Sequence, residues 1–226
     1  MFENKKIFIL GMARSGYNVA KLLYKNNEIV ITDKNDQDEE KVKELESLGV
    51  KFIKSDNPLE IFNDSFDMVI KNPGVMPTHP LLTYASSKNI PIYNEMEVAY
   101  HFLPKNITII GVTGSNGKTT TTTMIYELLK LMKRRVVLGG NIGYPLSEVI
   151  PLIHEGDILL LEISDHQLIN FNDFKTNISV LTNLCQTHLD YHGTYENYKK
   201  VKHNIFNHHT KEDIAIINAG NEDSMV

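Results

Sequence analysis

The stretch Thr108-Ile109-Ile110-Gly111-Val112-Thr113-Gly114-Ser115-Asn116-Gly117-Lys118-Thr119-Thr120 decides the fold of this chain. Thr108–Val112 has the composition of a buried strand, and a helix is predicted from about Gly117 to Met132. A glycine-rich turn between a buried strand and a helix is the setting that a phosphate loop requires. The glycines let backbone N–H groups turn inward toward phosphate oxygens, and the helix N-terminus adds partial positive charge. Gly114, Ser115, Asn116, Gly117, Lys118, Thr119 and Thr120 are therefore candidate phosphate-binding residues. Lys118 can bridge terminal phosphates, and the Thr119 hydroxyl can hold Mg²⁺. The strict pattern G-x-x-x-x-G-K-[ST] fails by one place, because Val112 stands where the first glycine belongs. A glycine turn with an incidental lysine is the bland alternative, and the flanking strand and helix speak against it.

Downstream, strands are predicted at Val136–Leu138, Ile158–Glu162, Ile178–Thr182 and Ile214–Asn218. Glu162 ends an apolar strand, at the sheet edge where the phosphate loop lies. That is a natural Mg²⁺ position, since Mg²⁺ takes oxygen ligands shared with phosphates; a strand-end acid in solvent is the other reading. Thr187-His188-Leu189-Asp190-Tyr191-His192-Gly193 follows the strand end Thr182-Asn183. His188 is a metal ligand or an orienting donor, although with nine histidines any single one is more often surface or core. His101, His208 and His209 receive no role. A helix is predicted through Tyr198–Phe206, with Tyr198, Val201, Ile205 and Phe206 as its apolar stripe and Lys202, by composition alone, in solvent. No closing helix or strand follows Asn218, so a truncated polypeptide is expected.

Upstream, strand and helix signals alternate. Ile7–Leu10 reads as a strand, Gly11-Met12-Ala13-Arg14-Ser15-Gly16 as a turn, and Val19, Ala20, Leu22 and Leu23 suit a helix. Ile29–Thr32 is a second strand ending at Asp33, Lys41–Leu48 a helix stopped by Gly49, and Val50–Ile53 and Met68–Ile70 are further strands. Such alternation implies a parallel sheet. The fold class is α/β: a Rossmann-like parallel-sheet domain at residues 1–93, followed by a partial P-loop NTPase α/β domain at residues 94–226. The turn Gly11–Gly16 lacks the middle glycine of G-x-G-x-x-G, and Asp33 lies near where a ribose-binding acid sits in such folds. An ordinary βα turn with a turn aspartate has the same appearance. Lys71-Asn72-Pro73-Gly74 marks a third strand-end turn, consistent with a ligand crevice.

Composition bounds the remaining possibilities. The 226 residues carry 23 Lys plus Arg against 28 Asp plus Glu, a formal charge of −5, which argues against non-specific nucleic-acid binding. The single cysteine, Cys185, excludes an internal disulfide and a cysteine-based zinc site. No apolar run approaches the roughly 18 residues of a membrane span, and the N-terminus lacks a secretory pattern. A cytosolic setting with no membrane or nucleic-acid partner is expected, and a monomer.

Together the loop Gly111–Thr120, strand-end Glu162, Gly139-Gly140-Asn141-Ile142-Gly143, Thr182-Asn183, His188-Leu189-Asp190 and the Lys202 helix resemble the Mur ligases. The N-terminal half adds Leu10–Gly16, Asp33, Asn72-Pro73-Gly74 and Asn94-Glu95-Met96-Glu97. The resemblance runs through all 226 residues, yet members are longer and have three domains. It implies an ATP-dependent ligase that forms an acyl phosphate on UDP-N-acetylmuramoyl-L-alanine and joins it to D-glutamate. Lys118 is then assigned to the β/γ-phosphates, with Thr119 and Glu162 on a first Mg²⁺. His188 goes to a second Mg²⁺, beside Lys202 carrying a carbamate. Asn141 would contact the muramoyl part. Gly11, Ala13, Arg14, Ser15, Gly16, Asp33, Asn72, Pro73 and Gly74 would hold the uridine and diphosphate. Asp165-His166 stands where many members have Ser-Phe, and Thr187 where many have Asp. A sibling ligase and a non-catalytic nucleotide-sugar binding fragment are the competing readings.

Overall fold

Alternating strands and helices build two units, Met1–Ala99 and Tyr100–Val226, in a computed structural model that describes residues 1–225. The first unit runs β1 (Lys6–Leu10), α1 (Ala13–Leu23), β2 (Glu28–Asp33), α2 (Glu39–Ser47) and β3 (Lys51–Lys54). It continues with β4 (Met68–Lys71), α3 (Pro80–Ser87), β5 (Ile92–Asn94) and α4 (Glu95–Tyr100). All its pairings are parallel, in the order β3-β2-β1-β4-β5. Successive strand residues point to opposite faces. Ile7, Ile9, Ile29 and Ile31 therefore pack with Val19, Ala20 and Leu23 of α1 and Leu45 of α2. Phe8, Leu10, Val30 and Val69 face Leu81, Leu82 and Ala85 of α3. The sheet is covered on both faces, as a parallel sheet requires. Helix α2 opens on Asp38, whose carboxylate accepts from the Glu40 and Lys41 N–H groups, and closes at Gly49 with φ +87°.

The unit division falls after Ala99, later than the 93/94 boundary expected from the sequence. Strand β5 pairs with β4, and Val98 of α4 packs in the first core, so both elements stay with the first sheet.

The second unit runs β6 (Thr108–Thr113), α5 (Lys118–Leu131), β7 (Val136–Gly140), α6 (Leu146–Val149), β8 (Ile158–Glu162) and β9 (Ile178–Leu181). Then follow α7 (Leu189–His192), α8 (Tyr195–His203) and β10 (Ile214–Ile217). This sheet is also parallel, in the order β10-β9-β6-β8-β7. Ile110, Val112, Ile158 and Leu160 pack against Ile125, Tyr126 and Leu129 of α5. On β6, a Cβ at Gly111 would meet Thr176 Cγ2 at 2.8 Å and Ile205 Cδ1 at 3.2 Å, so glycine lets the end of the α8 segment close onto the strand.

Two local expectations are corrected. Strand β7 continues through Gly139 and Gly140, because these pair with Leu161 and Glu162 of β8. Lys202 is not solvated: it is fully buried, four residues from buried Tyr198 on the inner face of α8. No helix among the described residues is long and apolar enough to cross a membrane.

Candidate functional site

Strand β6 ends at Thr113, and the loop that follows is tied to the end of β9. Ser115 N–H donates to the Asn183 carbonyl at 2.9 Å and Asn116 N–H to Asn183 Oδ1 at 3.1 Å. Thr182 Oγ1 and Asn183 Nδ2 both donate to the Asn116 carbonyl, at 2.7 and 3.0 Å. Ser115 Oγ accepts from Cys185 N–H at 2.9 Å and lies 2.8 Å from the Tyr198 hydroxyl. Gly114, at φ +147°, has room for no Cβ, which would sit 2.0 Å from Thr182 Oγ1. Gly117, at φ +77°, caps α5. Val112 is a fully buried strand residue within β6, paired with Glu162 and Val180.

Lys118 Nζ donates to the Gly114 and Ser115 carbonyls at 2.9 and 3.0 Å, so the ammonium lies over the mouth of the loop. Thr119 and Thr120 follow, both exposed on the first turn of α5. Thr119 Oγ1 donates to Glu162 Oε2 at 2.7 Å. Glu162 itself is buried, and its other oxygen accepts from Asn141 Nδ2 at 2.7 Å. Asn141 N–H also donates to the Glu162 carbonyl. Asn141 thus orients the carboxylate, a role its sequence neighbourhood did not announce.

A second cluster gathers around Asp165, which follows β8. Its Oδ2 lies 3.1 Å from His188 Nδ1, 2.6 Å from His192 Nε2 and 3.7 Å from His166 Nδ1. Its Oδ1 lies 3.6 Å from Lys202 Nζ, which also donates to Thr113 Oγ1 at 3.2 Å. Burial works against a charge on Asp165, but Lys202, the His192 hydrogen bond and the imidazoles of His166 and His188 outweigh it and hold its carboxyl well below the usual range. Burial pushes Lys202 down to about 8, although Asp165 favours its charge. His188 takes the left-handed backbone conformation, φ +51°, and its ring is half exposed. His188 and Lys202 therefore share one partner, Asp165, noted in the sequence only as a departure from the family pattern; its signal is an acid and an imidazole side by side, three residues past Glu162.

The first unit offers a separate crevice of about 390 Å³ at the carboxyl ends of β1, β2 and β4, lined in part by Gly11, Ala13, Asp33, Asn72 and Gly74. It opens where the strand order reverses beside β1, the usual ligand position in an open α/β sheet. Asp33 Oδ2 accepts from Met12 N–H at 2.9 Å and Oδ1 from Asn35 N–H at 3.0 Å, so the acid clamps the turn. Asn72 Nδ2 donates to Ser15 Oγ, and a Cβ on Gly16 would strike the Gly11 carbonyl at 2.1 Å. Arg14, Ser15, Gly16 and Pro73 lie off the walls; Ser15 and Gly16 shape the turn behind them.

A strand, a glycine loop and a helix carrying Lys-Thr, with an acid at the neighbouring strand end, define a phosphate-loop α/β protein. Residues 112–225 match the family model described as the Mur ligase middle domain. The chain belongs to the Mur ligase family. UDP-N-acetylmuramoylalanine--D-glutamate ligase of Geobacillus sp. (strain WCH70) is 43% identical over 223 residues, 98% of this chain and 49% of the relative. The protein of the same name from Streptococcus mutans is 46% identical over 219 residues, 96% of this chain and 48% of the relative. The chain spans about half the length of the curated relatives it matches. Among solved structures, the UDP-N-acetylmuramate-alanine ligase of Thermotoga maritima shares the fold, with TM-score 0.56 and 22% identity over 97% of this chain and 50% of its own. A ligase from Neisseria meningitides, specific by name for UDP-N-acetylmuramate and a diaminopimelate-containing tripeptide, has TM-score 0.58 and 15% identity, covering 97% and 72%.

Proposed function

We propose that the chain supplies the nucleotide-sugar and ATP-binding parts of a cytosolic ligase that joins D-glutamate to UDP-N-acetylmuramoyl-L-alanine in peptidoglycan precursor synthesis. The observation that carries this reading is Glu162, a buried carboxylate fixed between Thr119 and Asn141 beneath the glycine loop. Thr119 and Glu162 offer hard oxygen donors side by side, a set that suits Mg²⁺ shared with a phosphate. When bound, that ion neutralises phosphoryl oxygens. Lys118 moves from the loop carbonyls onto the β/γ-phosphates, and the N–H groups of residues 117–120 at the start of α5 donate to phosphate oxygens, while those of Ser115 and Asn116 stay on Asn183. The carboxylate of the alanyl group takes the terminal phosphoryl group of ATP, releasing ADP, and the amine of D-glutamate then attacks the acyl carbon, loses a proton and displaces phosphate. The residues contribute positioning and charge neutralisation, which dominate phosphoryl transfer.

Asp33, Asn72 and the turn Gly11–Gly16 bind the uridine diphosphate. His188 and Lys202 hold a second divalent ion, with Lys202 as its carbamate. Full burial of this lysine supports that assignment, because a neutral amine is what reacts with CO₂.

The test is calorimetric titration of ATP–Mg²⁺ into wild type and Lys118→Ala. Hydrogen bonds from a charged group contribute about 1.5–3 kcal/mol, so Kd rises roughly ten- to a hundredfold in the variant. Equal affinity overturns the reading of the loop. Phosphate release that requires D-glutamate and UDP-N-acetylmuramoyl-L-alanine together, and not L-alanine, separates this ligase from a sibling.

A further inference from the structure

One oxygen atom, Asp165 Oδ2, is approached by the ring nitrogens of three histidines from two separate segments of chain. The arrangement is built rather than incidental. Asp165 is almost wholly buried, while His188 is half exposed and His166 about one quarter, so the cluster opens to solvent on one side. The His166 ring is held edge-on against Tyr191 at 4.0 Å, and lies 5.5 Å from the His188 ring. The ligating atoms of Asp165, His166 and His188 all lie within 4.8 Å of one another. Donors at about 2.1 Å from one ion stand at most about 4.2 Å apart. A small rotation of the exposed His188 ring is enough to close that difference.

We propose that Asp165, His166 and His188 bind a first-row transition-metal dication in preference to Mg²⁺. Two imidazole nitrogens and one carboxylate oxygen make a borderline donor set that favours Mn²⁺ through Zn²⁺, whereas Mg²⁺ asks for oxygen throughout. The buried ring of His192, 2.6 Å from the same carboxylate, fixes its orientation, as outer partners of metal ligands do. The Lys202 ammonium occupies the other side of Asp165 and balances its charge when no metal is bound. This inference deepens the proposed second-ion position and rests on that reading only for the use of a cation beside His188. Its new content is the ligand set, Asp165 and His166, and the class of metal.

The probe is Co²⁺, titrated into the nucleotide-free chain and followed by visible absorption and by equilibrium dialysis. Wild type should bind one Co²⁺ that a hundredfold excess of Mg²⁺ does not displace. His166→Phe keeps a ring against Tyr191 but removes the donor nitrogen, and should weaken Co²⁺ binding at least about tenfold. Asp165→Asn should do the same, whereas His154→Ala, at an exposed histidine outside the cluster, should bind as wild type does. Retention of wild-type affinity in His166→Phe overturns the proposal, as does displacement by equimolar Mg²⁺ or the absence of a bound Co²⁺. In the last case the cluster is a proton-held network. The measurement needs neither ATP nor turnover. A chain that binds ATP–Mg²⁺ but no Co²⁺ defeats this inference alone; one that binds Co²⁺ but no nucleotide defeats the ligase reading alone.

Discussion

Thr119 Oγ1 donates to Glu162 Oε2 at 2.7 Å across 43 residues of sequence. Sheet order makes this contact: β6 and β8 are neighbours, with Val112 opposite Glu162, so the helix that leaves β6 passes its first turn over the β8 end.

Glu162→Gln should therefore preserve the fold and remove the dependence on Mg²⁺. The amide keeps the side-chain shape and can still bond Thr119 and Asn141, but it carries no charge for a hard cation. In wild type, adding Mg²⁺ should strengthen ATP binding; in Glu162→Gln the nucleotide should bind with the same weak affinity with Mg²⁺ and with EDTA. An Mg²⁺ effect of wild-type size in the variant would remove Glu162 from the metal site.

Uridine diphosphate should raise the melting temperature of the chain, because a ligand that binds only the folded form stabilises it, by about 2.7 kcal/mol at a hundredfold excess over Kd. Asp33→Ala should lower the melting temperature without ligand and also shrink the ligand-induced rise. The first effect follows from the lost clamps on the Met12 and Asn35 N–H groups. Thermal melts at millimolar ligand check both, and an undiminished rise in Asp33→Ala separates the acid from the uridine site.

Lys71 supplies a pH prediction. It ends β4 fully buried, its Nζ donating to the Val75 carbonyl at 3.2 Å, and burial pushes it from 10.5 down to about 8. Above about pH 10.5 the lysine is neutral in the folded and unfolded chain, and burial of its charge costs nothing. As pH falls from 10.5 to 8 the unfolded chain binds the proton first, so stability drops, by about 3 kcal/mol for a shift of this size. Below pH 8 the cost is constant. Lys202 adds a similar slope, so the informative quantity is the difference between wild type and Lys71→Met in urea unfolding at pH 7.5 and pH 10, taken as roughly the ends of that window. The variant should lose part of the rise; parallel curves would show that Lys71 is not the group responsible.

The phosphate loop was legible because each of its signals is local: an apolar strand, two glycines, a lysine at the helix start. Glu162 was legible for the same reason, as an acid closing an apolar run. Elsewhere the deciding partner is distant. The strand expected at Val136–Leu138 stops short of Gly139 and Gly140, which join it only because β8 pairs with them. Lys202 reads as solvated because its partner, Asp165, lies in another segment, and its burial depends on α8 turning Tyr198 and Lys202 inward together. Asp165 and His166 are adjacent, but nothing in their spacing to His188 and His192 marks the cluster; only the chain's return after β9 brings those two rings to the Asp165 carboxylate.

Two left-handed glycines separate backbone strain from steric exclusion. Gly117, at φ +77°, has nothing within 4 Å of a Cβ, so Gly117→Ala should cost only the left-handed penalty of about 1–2 kcal/mol. Gly140, at φ +99°, would place a Cβ 2.2 Å from the Glu162 carbonyl oxygen, a backbone atom that cannot turn aside. Gly140→Ala should cost more than about 3 kcal/mol in urea unfolding and should also disturb nucleotide binding through Asn141 and Glu162. Equal costs at the two positions would contradict the close approach of β7 to β8.

Lys202 and Lys199 lie on the same short helix in opposite surroundings. Lys199 is paired with Glu196 at 2.8 Å and Asp223 at 3.2 Å, which raise its proton affinity and keep it cationic. Lys202 is buried, and burial lowers its affinity for a proton to about 8. Carbamate formation needs the neutral amine, whose nitrogen attacks CO₂ and releases a proton. The sign follows: the fraction able to react falls as pH drops below about 8 and grows above it. In ¹³C-labelled bicarbonate with a divalent ion present, a carbamate carbon resonance should appear in wild type, Lys199→Ala and Lys200→Ala, and weaken from about pH 9 to about pH 7, roughly one unit on either side of that value. Lys202→Arg keeps a cation beside Asp165 but offers no neutral amine, since guanidinium stays protonated, and should lack the resonance. A resonance that persists in Lys202→Arg places the modification on another amine; its absence from wild type leaves Lys202 as the ammonium partner of Asp165 and removes the carbamate from the mechanism.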